Sequence, residues 1–171
     1  MVFTATAVLI LIEIGKYGER IEECSIEIEE KIIRGNSLTG LVEDGEKIIA
    51  LFGYYDCYEV QKQDIILYSY AGNKEPLIKI VEAIPGDKLS LQETINGWHI
   101  LINGQVLKNS ENKPYLLNQK RHKMLSLYEK SYQGKVPEES FLIMSNLIGG
   151  GMDSTSFGLI HQDDILGKAT K

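Results

Sequence analysis

Short apolar runs separated by turn residues follow one another along most of the chain. Residues 25–29 alternate polar and apolar, which predicts a half-buried strand with Ile26 and Ile28 on one face. Asn103-Gly104 between two apolar runs predicts a tight hairpin, and Pro85-Gly86-Asp87 predicts a turn. Further strands are predicted at 47–52, 64–70, 77–84, 98–102, 105–107, 140–144 and 157–160.

Residues 112–134 break this pattern, because scattered apolar residues stand there among lysines and glutamates. This stretch predicts one short helix inside a long connection. Many short strands with turn residues at their ends predict a mostly-β barrel or sandwich. No internal repeat or low-complexity segment is visible.

Composition narrows the possible functions. The 171 residues fit one domain, and the net charge of −6 argues against nucleic acid as a partner. The densest basic run, residues 120–123, is short and is interpreted as a solvated helix start. The three histidines lack the spacing of metal ligands, so no metal site is predicted. Cys24 and Cys57 form no Cys-x-x-Cys motif, and a disulfide between them remains open.

The N-terminal segment, residues 1–20, is apolar at its centre. Its apolar stretch, residues 2–14, is shorter than the roughly 20 residues that a transmembrane helix needs. No basic stretch precedes it and no cleavage site follows it, so a removable signal peptide fits poorly. It is interpreted as the remnant of a membrane anchor; an apolar strand and a short interfacial helix are the alternatives.

Ser37 and Lys79 are the candidate catalytic residues. Ser37 follows a Gly-Asn turn, and Lys79 lies between Ile78 and Ile80 in an apolar strand. A serine hydroxyl needs a neighbouring base, and lysine serves only when burial keeps it neutral. The pair therefore suggests a Ser-Lys dyad; the structural alternatives are a turn serine and a lysine that extends to a sheet edge.

Six short motifs follow one another along the chain. They are Gly35-x-Ser37 with Asp44-Gly45, Lys79-x-Val81 with Pro85-Gly86-Asp87, Asn103-Gly104, Val136-Pro137 with Phe141 and Met144, Asp153-Ser154 with Phe157-Gly158, and Ile165-Leu166-Gly167-Lys168. Their order resembles that of bacterial signal peptidase I. The resemblance covers about residues 25 to 171. It implies coiled antiparallel sheets or a partly open barrel, with one short helix in a long insert. Residues 21–171 would form the catalytic domain.

The same resemblance implies an activity and a location. The family removes signal peptides from exported preproteins at the outer face of the cell membrane, to which an N-terminal helix tethers it. Its serine falls on Ser37 and its general base on Lys79. Asp87, Asp153, Ser154 and Gly158 would support the site.

Two motifs depart from the family pattern. After Ser37 the family has Met-x-Pro, where this chain has Leu38-Thr39-Gly40. In the last motif (residues 145–155) the family's first aspartate is replaced by Asn146, its arginines by Ile148 and Thr155, and its first serine by Gly151. That serine helps to hold the lysine in the family, so another residue is expected to orient Lys79 here. These departures indicate a divergent branch.

The implied mechanism is acyl transfer without a metal or organic cofactor. The backbone N–H of Ser37 would bind the oxyanion, with a second donor from Gly35 or Asn36. A preprotein signal peptide would bind as an extended strand at a sheet edge. Its small side chains would enter pockets walled by Leu38, Ile78, Ile80 and Ile143.

Two alternative functions remain. A self-cleaving repressor of the SOS type shares the Ser-Lys dyad, but no DNA-binding helix-turn-helix precedes Ser37. A non-catalytic peptide-binding module on the same fold would explain the altered last motif. The distance between the Ser37 hydroxyl and the Lys79 amine separates catalysis from this scaffold role.

Overall fold

The computed structural model describes residues 25–71 and 75–171. The N-terminal segment 1–20 and Cys24 lie outside the described residues. Within the described part, no helix is long and apolar enough to cross a membrane.

Ten strands and two α-helices make up the described chain. The strands are β1 (Glu27–Ile32), β2 (Lys47–Phe52), β3 (Ile65–Tyr68), β4 (Leu77–Ala83), β5 (Leu89–Thr94), β6 (Gly97–Ile102), β7 (Gln105–Val106), β8 (Ser140–Met144), β9 (Ile160–His161) and β10 (Ile165–Thr170). The helices are α1 (Gln119–Ser131) and α2 (Ser154–Phe157). Two single 3-10 turns, Tyr54–Asp56 and Gln162–Asp164, complete the set.

The strands form two antiparallel sheets that do not close into a barrel. Seven strands pair in the order β1-β2-β10-β3-β4-β8-β9, and β5-β6-β7 form a smaller sheet. This confirms the predicted mostly-β fold with open antiparallel sheets. The Asn103-Gly104 hairpin is also as predicted, since it joins β6 to β7.

Strand β4 lies near the middle of the larger sheet and carries the candidate base. Ile78, Ile80 and Val81 are β-branched and favour a strand, and four consecutive residues after Lys79 are buried. Pro85-Gly86 ends the strand, with Gly86 at a φ of +88°. The Asp87 side chain accepts the Ile84 backbone N–H at 3.0 Å, which closes this turn.

Apolar side chains pack on both faces of the larger sheet. One cluster, here called the site-side cluster, contains Leu38, Val42, Ile48, Leu67 and Ile80. A second cluster contains Val81, Phe141, Ile143 and Ile160. Because side chains alternate along a strand, Ile80 and Val81 belong to different faces. A third cluster joins the smaller sheet to α1 through Leu125.

Three local predictions were wrong or incomplete. Ile28 is 67% exposed, so the face of the edge strand β1 that carries it is not covered at this residue. The strand predicted at 157–160 is instead the end of α2 followed by the two-residue β9. Strand β5 was missed although Leu89-Ser90-Leu91 alternates apolar and polar residues, and β10 was missed because Gly167 and Lys168 interrupt its apolar residues.

Candidate active site

The Ser37 hydroxyl and the Lys79 amine are in contact. Lys79 Nζ lies 3.2 Å from Ser37 Oγ and donates to the backbone oxygen of Ile78 at 2.8 Å. The 3.2 Å separation is at the upper end of the range expected for a nucleophile and its base without substrate. The two residues are 42 positions apart in sequence and are brought together by the fold.

Lys79 is buried, with 2% of its surface exposed. Burial disfavours the ammonium form and lowers the pKa of Lys79 to about 8, although the charge of Asp153 acts in the opposite direction. A substantial fraction of this amine is therefore neutral under mildly alkaline conditions. Only the neutral amine can accept a proton from Ser37.

The loop that carries Ser37 is fixed at several points. Gly35 has a φ of +87°, and its N–H donates to Asp44 Oδ1 at 2.7 Å. The Ser37 carbonyl oxygen accepts the Asn146 N–H at 2.7 Å. Leu38, the next residue, is buried in the site-side cluster and anchors the loop beside β4. Ser37 thus lies on a turn that is held by hydrogen bonds and packing, and its side chain is half-buried.

Gly40 adopts a conformation that proline cannot take. Its φ is +92°, whereas the proline ring holds φ near −65°. The Gly40 N–H, which proline would lack, donates to Glu43 Oε1 at 2.9 Å. The turn after Ser37 is therefore built differently from a proline-containing one and is held by this hydrogen bond.

A groove of about 880 Å³ leads to the Ser37–Lys79 pair. One wall is the end of β1 and the residues after it, and the other is the start of β4 with the residues before it. Ser37, Leu38, Ile78 and Lys79 all line the groove. Leu38 and Ile78, which were expected to wall substrate pockets, contribute apolar surface to this groove.

Two predicted pocket walls lie elsewhere. Ile80 is buried in the site-side cluster beneath the groove, and Ile143 is buried in the cluster on the other face of the sheet. Neither lines the groove: Ile80 shares a face of β4 with Ile78 but is covered by the site-side cluster, and Ile143 lies on the opposite face of the sheet. Gly35 and Asn36 are exposed on the loop beside the groove.

Candidate oxyanion donors differ in their availability. The Gly35 N–H already donates to Asp44, so it is not a free second donor. The Ser37 N–H donates no hydrogen bond within the described part of the chain. Within the described residues, the N–H groups of Ser37 and Asn36 are therefore both available as oxyanion donors.

Asp153 organises the loop behind Lys79 and is fully buried. Its Oδ2 accepts the Ser145 hydroxyl at 2.6 Å and the Gly151 N–H at 2.6 Å, and its Oδ1 accepts the Thr155 hydroxyl at 2.5 Å. Burial alone would raise the pKa of Asp153, but these hydrogen bonds outweigh it and lower the pKa. The carboxylate is therefore a fixed negative charge near Lys79.

The remaining predicted support residues have other partners. The Ser154 hydroxyl accepts the Ile143 N–H at 2.9 Å, so it ties α2 to β8 and does not bond Lys79. Asp87 accepts Lys62 and Asn103, both at 2.7 Å, and supports the turn after β4. Gly158 ends α2 with a φ of +96°, where a Cβ atom would lie 2.1 Å from the Tyr128 hydroxyl.

Three residues of this site were missed from the sequence. Asn146 spans the Ser37 loop and residue 110, donating from its side chain to Thr39 O and Ser110 Oγ at 2.7 Å each. Ser145 and Arg121 both contact Asp153. Asn146 and Ser145 belong to the last motif (residues 145–155), so their position in the sequence could have pointed to the site. Arg121 lies in α1, and nothing in the sequence connects it with the site.

Comparisons with known proteins give a consistent family. The model of the family described as "Signal peptidase, peptidase S26" matches residues 20–171. Signal peptidase IB of Staphylococcus aureus (strain COL) is 24% identical over 97% of this chain and 83% of its own length. Signal peptidase I of Bacillus caldolyticus is 26% identical over 80% of this chain and 74% of its own length.

A crystal structure of a signal peptidase I from Enterococcus faecalis V583 is also similar. It aligns with a TM-score of 0.46 and 21% identity, over 66% of this chain and 98% of that chain.

Proposed function

Because the chain belongs to the signal peptidase family, peptidase S26, we propose that it cleaves signal peptides from exported preproteins with Ser37 as nucleophile and Lys79 as general base. The observation that carries this proposal is the 3.2 Å contact between the Ser37 hydroxyl and a buried lysine amine. A lysine extended into solvent would have favoured the non-catalytic binding module instead.

The proposed reaction is acyl transfer through an ester intermediate. Neutral Lys79 takes the proton of the Ser37 hydroxyl as the oxygen attacks the scissile carbonyl. The Ser37 N–H donates to the oxygen of the tetrahedral intermediate. The Lys79 ammonium then gives its proton to the leaving amine, and a water molecule attacks the ester with Lys79 again acting as base.

The substrate is proposed to bind as an extended strand along β4. Residues Leu77, Ile78 and Lys79 pair with β3 on one side, whereas the pairing of β4 with β8 begins only at Ile80. The other edge of residues 77–79 is therefore not paired with β8, although the Ile78 carbonyl oxygen already accepts Lys79 Nζ. A peptide strand can pair with such an edge and bring its carbonyl to Ser37.

We place this reaction at the outer face of the cell membrane, where exported preproteins arrive. Besides the charged residues Glu30, Lys31, Arg34 and Glu75, the groove is lined by apolar side chains such as Leu38 and Ile78, which suit small apolar side chains of a signal peptide. The apolar segment 2–14 is proposed as the part of the chain that associates with the membrane.

The test is processing of a purified preprotein by the full chain. Ser37→Ala should abolish cleavage, and Lys79→Arg should do the same, since a guanidinium stays protonated. Ser90→Ala in β5 and Lys88→Arg at an exposed position are the matched controls and should cleave normally. Cleavage by either site variant overturns the dyad, whereas a wild-type chain that binds the preprotein without cutting it supports the binding module.

A further inference from the structure

Arg121 reaches from the insert helix into the loop behind Lys79. It lies in the first turn of α1, where the Asn118 side chain caps the helix by accepting the Arg121 N–H at 3.0 Å. The same helix is anchored by fully buried Leu125, and Glu129 accepts the Leu91 N–H at 3.0 Å. The position of Arg121 is thus fixed by the core and not by its own contacts alone.

The guanidinium makes four contacts in this loop. Arg121 Nη1 donates to the Gly151 carbonyl oxygen at 2.9 Å and to the Ser156 hydroxyl at 2.9 Å. It also donates to the Thr155 hydroxyl, and it lies 3.5 Å from Asp153 Oδ1. A nearby guanidinium is a common way in which proteins compensate the negative charge of a buried carboxylate.

The glycine-rich loop leaves room for this guanidinium. A Cβ atom at Gly150, whose φ is +73°, would lie only 2.7 Å from Arg121 Nη1. Any side chain at residue 150 would therefore displace the guanidinium. Of the three consecutive glycines, Gly150 thus leaves room for the guanidinium and Gly151 accepts its hydrogen bond.

In the family that the sequence resembles, arginines stand at the positions of Ile148 and Thr155. The present chain has neither, yet a guanidinium contacts the same aspartate from a different element. We propose that Arg121 is a positioning residue of this site: it supplies from the insert helix the positive charge that balances Asp153 behind Lys79. This inference rests on the proposed function, since Lys79 matters only as the base for Ser37.

The electrostatic consequence for Lys79 has a definite sign. Asp153 favours the charged form of Lys79. We infer that Arg121 opposes this effect, because its guanidinium is positive and lies 3.5 Å from the carboxylate. Tyr115 is the other titratable group coupled to Asp153, and its hydroxyl donates to the Ser145 carbonyl oxygen at 2.8 Å. Loss of the charge at residue 121 should therefore raise the pKa of Lys79.

The test measures the Lys79 titration directly by NMR on protein with 13C-labelled lysine, with Lys79→Arg used to assign the signal. Arg121→Gln keeps hydrogen-bond donors but removes the charge, and should lower the neutral fraction of Lys79 at pH 7 by about threefold or more. Arg121→Lys should stay near the wild type. Lys120→Met removes one exposed charge from the same turn and should change nothing.

A charge transplant gives a second, independent result. Thr155→Arg added to Arg121→Gln should return the titration of Lys79 toward the wild-type value. If Arg121→Gln alone does not fold, this double variant decides the matter: a folded protein with a wild-type titration supports the proposal, and any other outcome contradicts it. An unchanged titration in folded Arg121→Gln would also overturn it.

The titration does not depend on cleavage. If Ser37 and Lys79 did not process preproteins, the NMR result would still report whether Arg121 balances Asp153. Failure of the proposed function and failure of this inference are therefore distinguishable.

Discussion

The hydroxyl of Ser145 fills the space that a side chain at Gly151 would need. A Cβ atom at residue 151 would lie 3.0 Å from Ser145 Oγ and 3.2 Å from Ser145 Cβ. Ser145 uses this position to donate to Asp153, and it follows β8 directly, on the strand that pairs with β4 beyond Lys79. The missing serine of the last motif and the serine at residue 145 thus compete for one location.

Because Ser145 and a serine at residue 151 would occupy the same space, the effects of Gly151→Ser and Ser145→Gly should depend on each other. Gly151→Ser alone should lower the free energy of unfolding by about 1–3 kcal/mol, because it overpacks a buried loop. Adding Ser145→Gly should recover most of that loss, since the new hydroxyl can then donate to Asp153. A double-mutant cycle by denaturant unfolding measures the coupling. Simple additivity of the two changes would show that the side chains do not share this space.

The pH dependence of cleavage should follow the Lys79 amine. Only the neutral amine acts as base, so kcat/KM should rise tenfold per pH unit at low pH and level off near the pKa of about 8. A steady-state profile from pH 6 to 10 with one preprotein checks this expectation. An optimum in the acidic range, where carboxylates titrate, would point to a different base.

Replacing Lys79 by methionine should stabilise the fold while abolishing activity. The folded-state pKa of about 8 lies below the ordinary value of 10.5, so folding at neutral pH carries the cost of a buried ammonium. Lys79→Met removes that cost and should raise the free energy of unfolding at pH 7 by at most about 3 kcal/mol.

The sign of the linkage gives a control within the same experiment. Between pH 8 and 10.5 the unfolded chain binds more protons at Lys79 than the folded chain does, so wild-type stability from this group rises with pH. The advantage of Lys79→Met should therefore shrink across this window. Denaturant unfolding at pH 7 and pH 10 would contradict the assignment if the advantage were equal at both.

Ile78 and Ile80 should respond differently to the same truncation. Ile78 lines the groove and is half-buried, so Ile78→Ala should mainly change KM and the tolerated substrate side chains. Ile80 is buried in the site-side cluster, so Ile80→Ala should cost about 2–5 kcal/mol of stability. Thermal unfolding and kinetics on a panel of cleavage-site variants distinguish the two. A large substrate-selectivity change in folded Ile80→Ala would contradict this placement.

Gly158 should be far less tolerant than another glycine of similar backbone conformation. Gly45 has a φ of +82° with open space around it, whereas a Cβ atom at Gly158 meets the Tyr128 ring and hydroxyl. Gly45→Ala should cost about 1 kcal/mol from backbone strain alone, and Gly158→Ala clearly more. Comparison of their melting temperatures isolates the contribution of the close contact with α1. Equal losses would mean that Tyr128 moves aside freely.

Much of the fold could be predicted because strands and turns carry local signals. The runs at 47–52 and 140–144 became β2 and β8 as predicted, and Asn103-Gly104 formed its hairpin. The prediction that Ile28 is half-buried was wrong, because alternation shows which residues share a face but not whether another layer covers that face. Strand β10 was not predicted because it is stabilised by pairing with β2 and β3, which are distant in sequence.

The residues of the candidate site also differ in whether the sequence could identify them. Ser37 and Lys79 could be singled out because their chemistry requires a base beside a hydroxyl and burial beside an amine. Arg121 could not, because a basic residue in the first turn of a helix is interpreted as solvated unless the loop opposite is known. The occupied Gly35 N–H was missed for a similar reason: its acceptor, Asp44, lies across the loop.

The contact between Arg121 and Asp153 bears on how divergence in such chains is judged. Aligned position by position, Ile148 and Thr155 count as two arginines lost, and the last motif looks inactive. In the structure, however, the guanidinium of Arg121 lies 3.5 Å from the carboxylate of Asp153. It is carried there by α1, a helix outside the motif. The family model still matches residues 20–171, but a count of the motif residues alone undervalues this site. A comparison of charged groups in three dimensions finds the guanidinium that such a count misses.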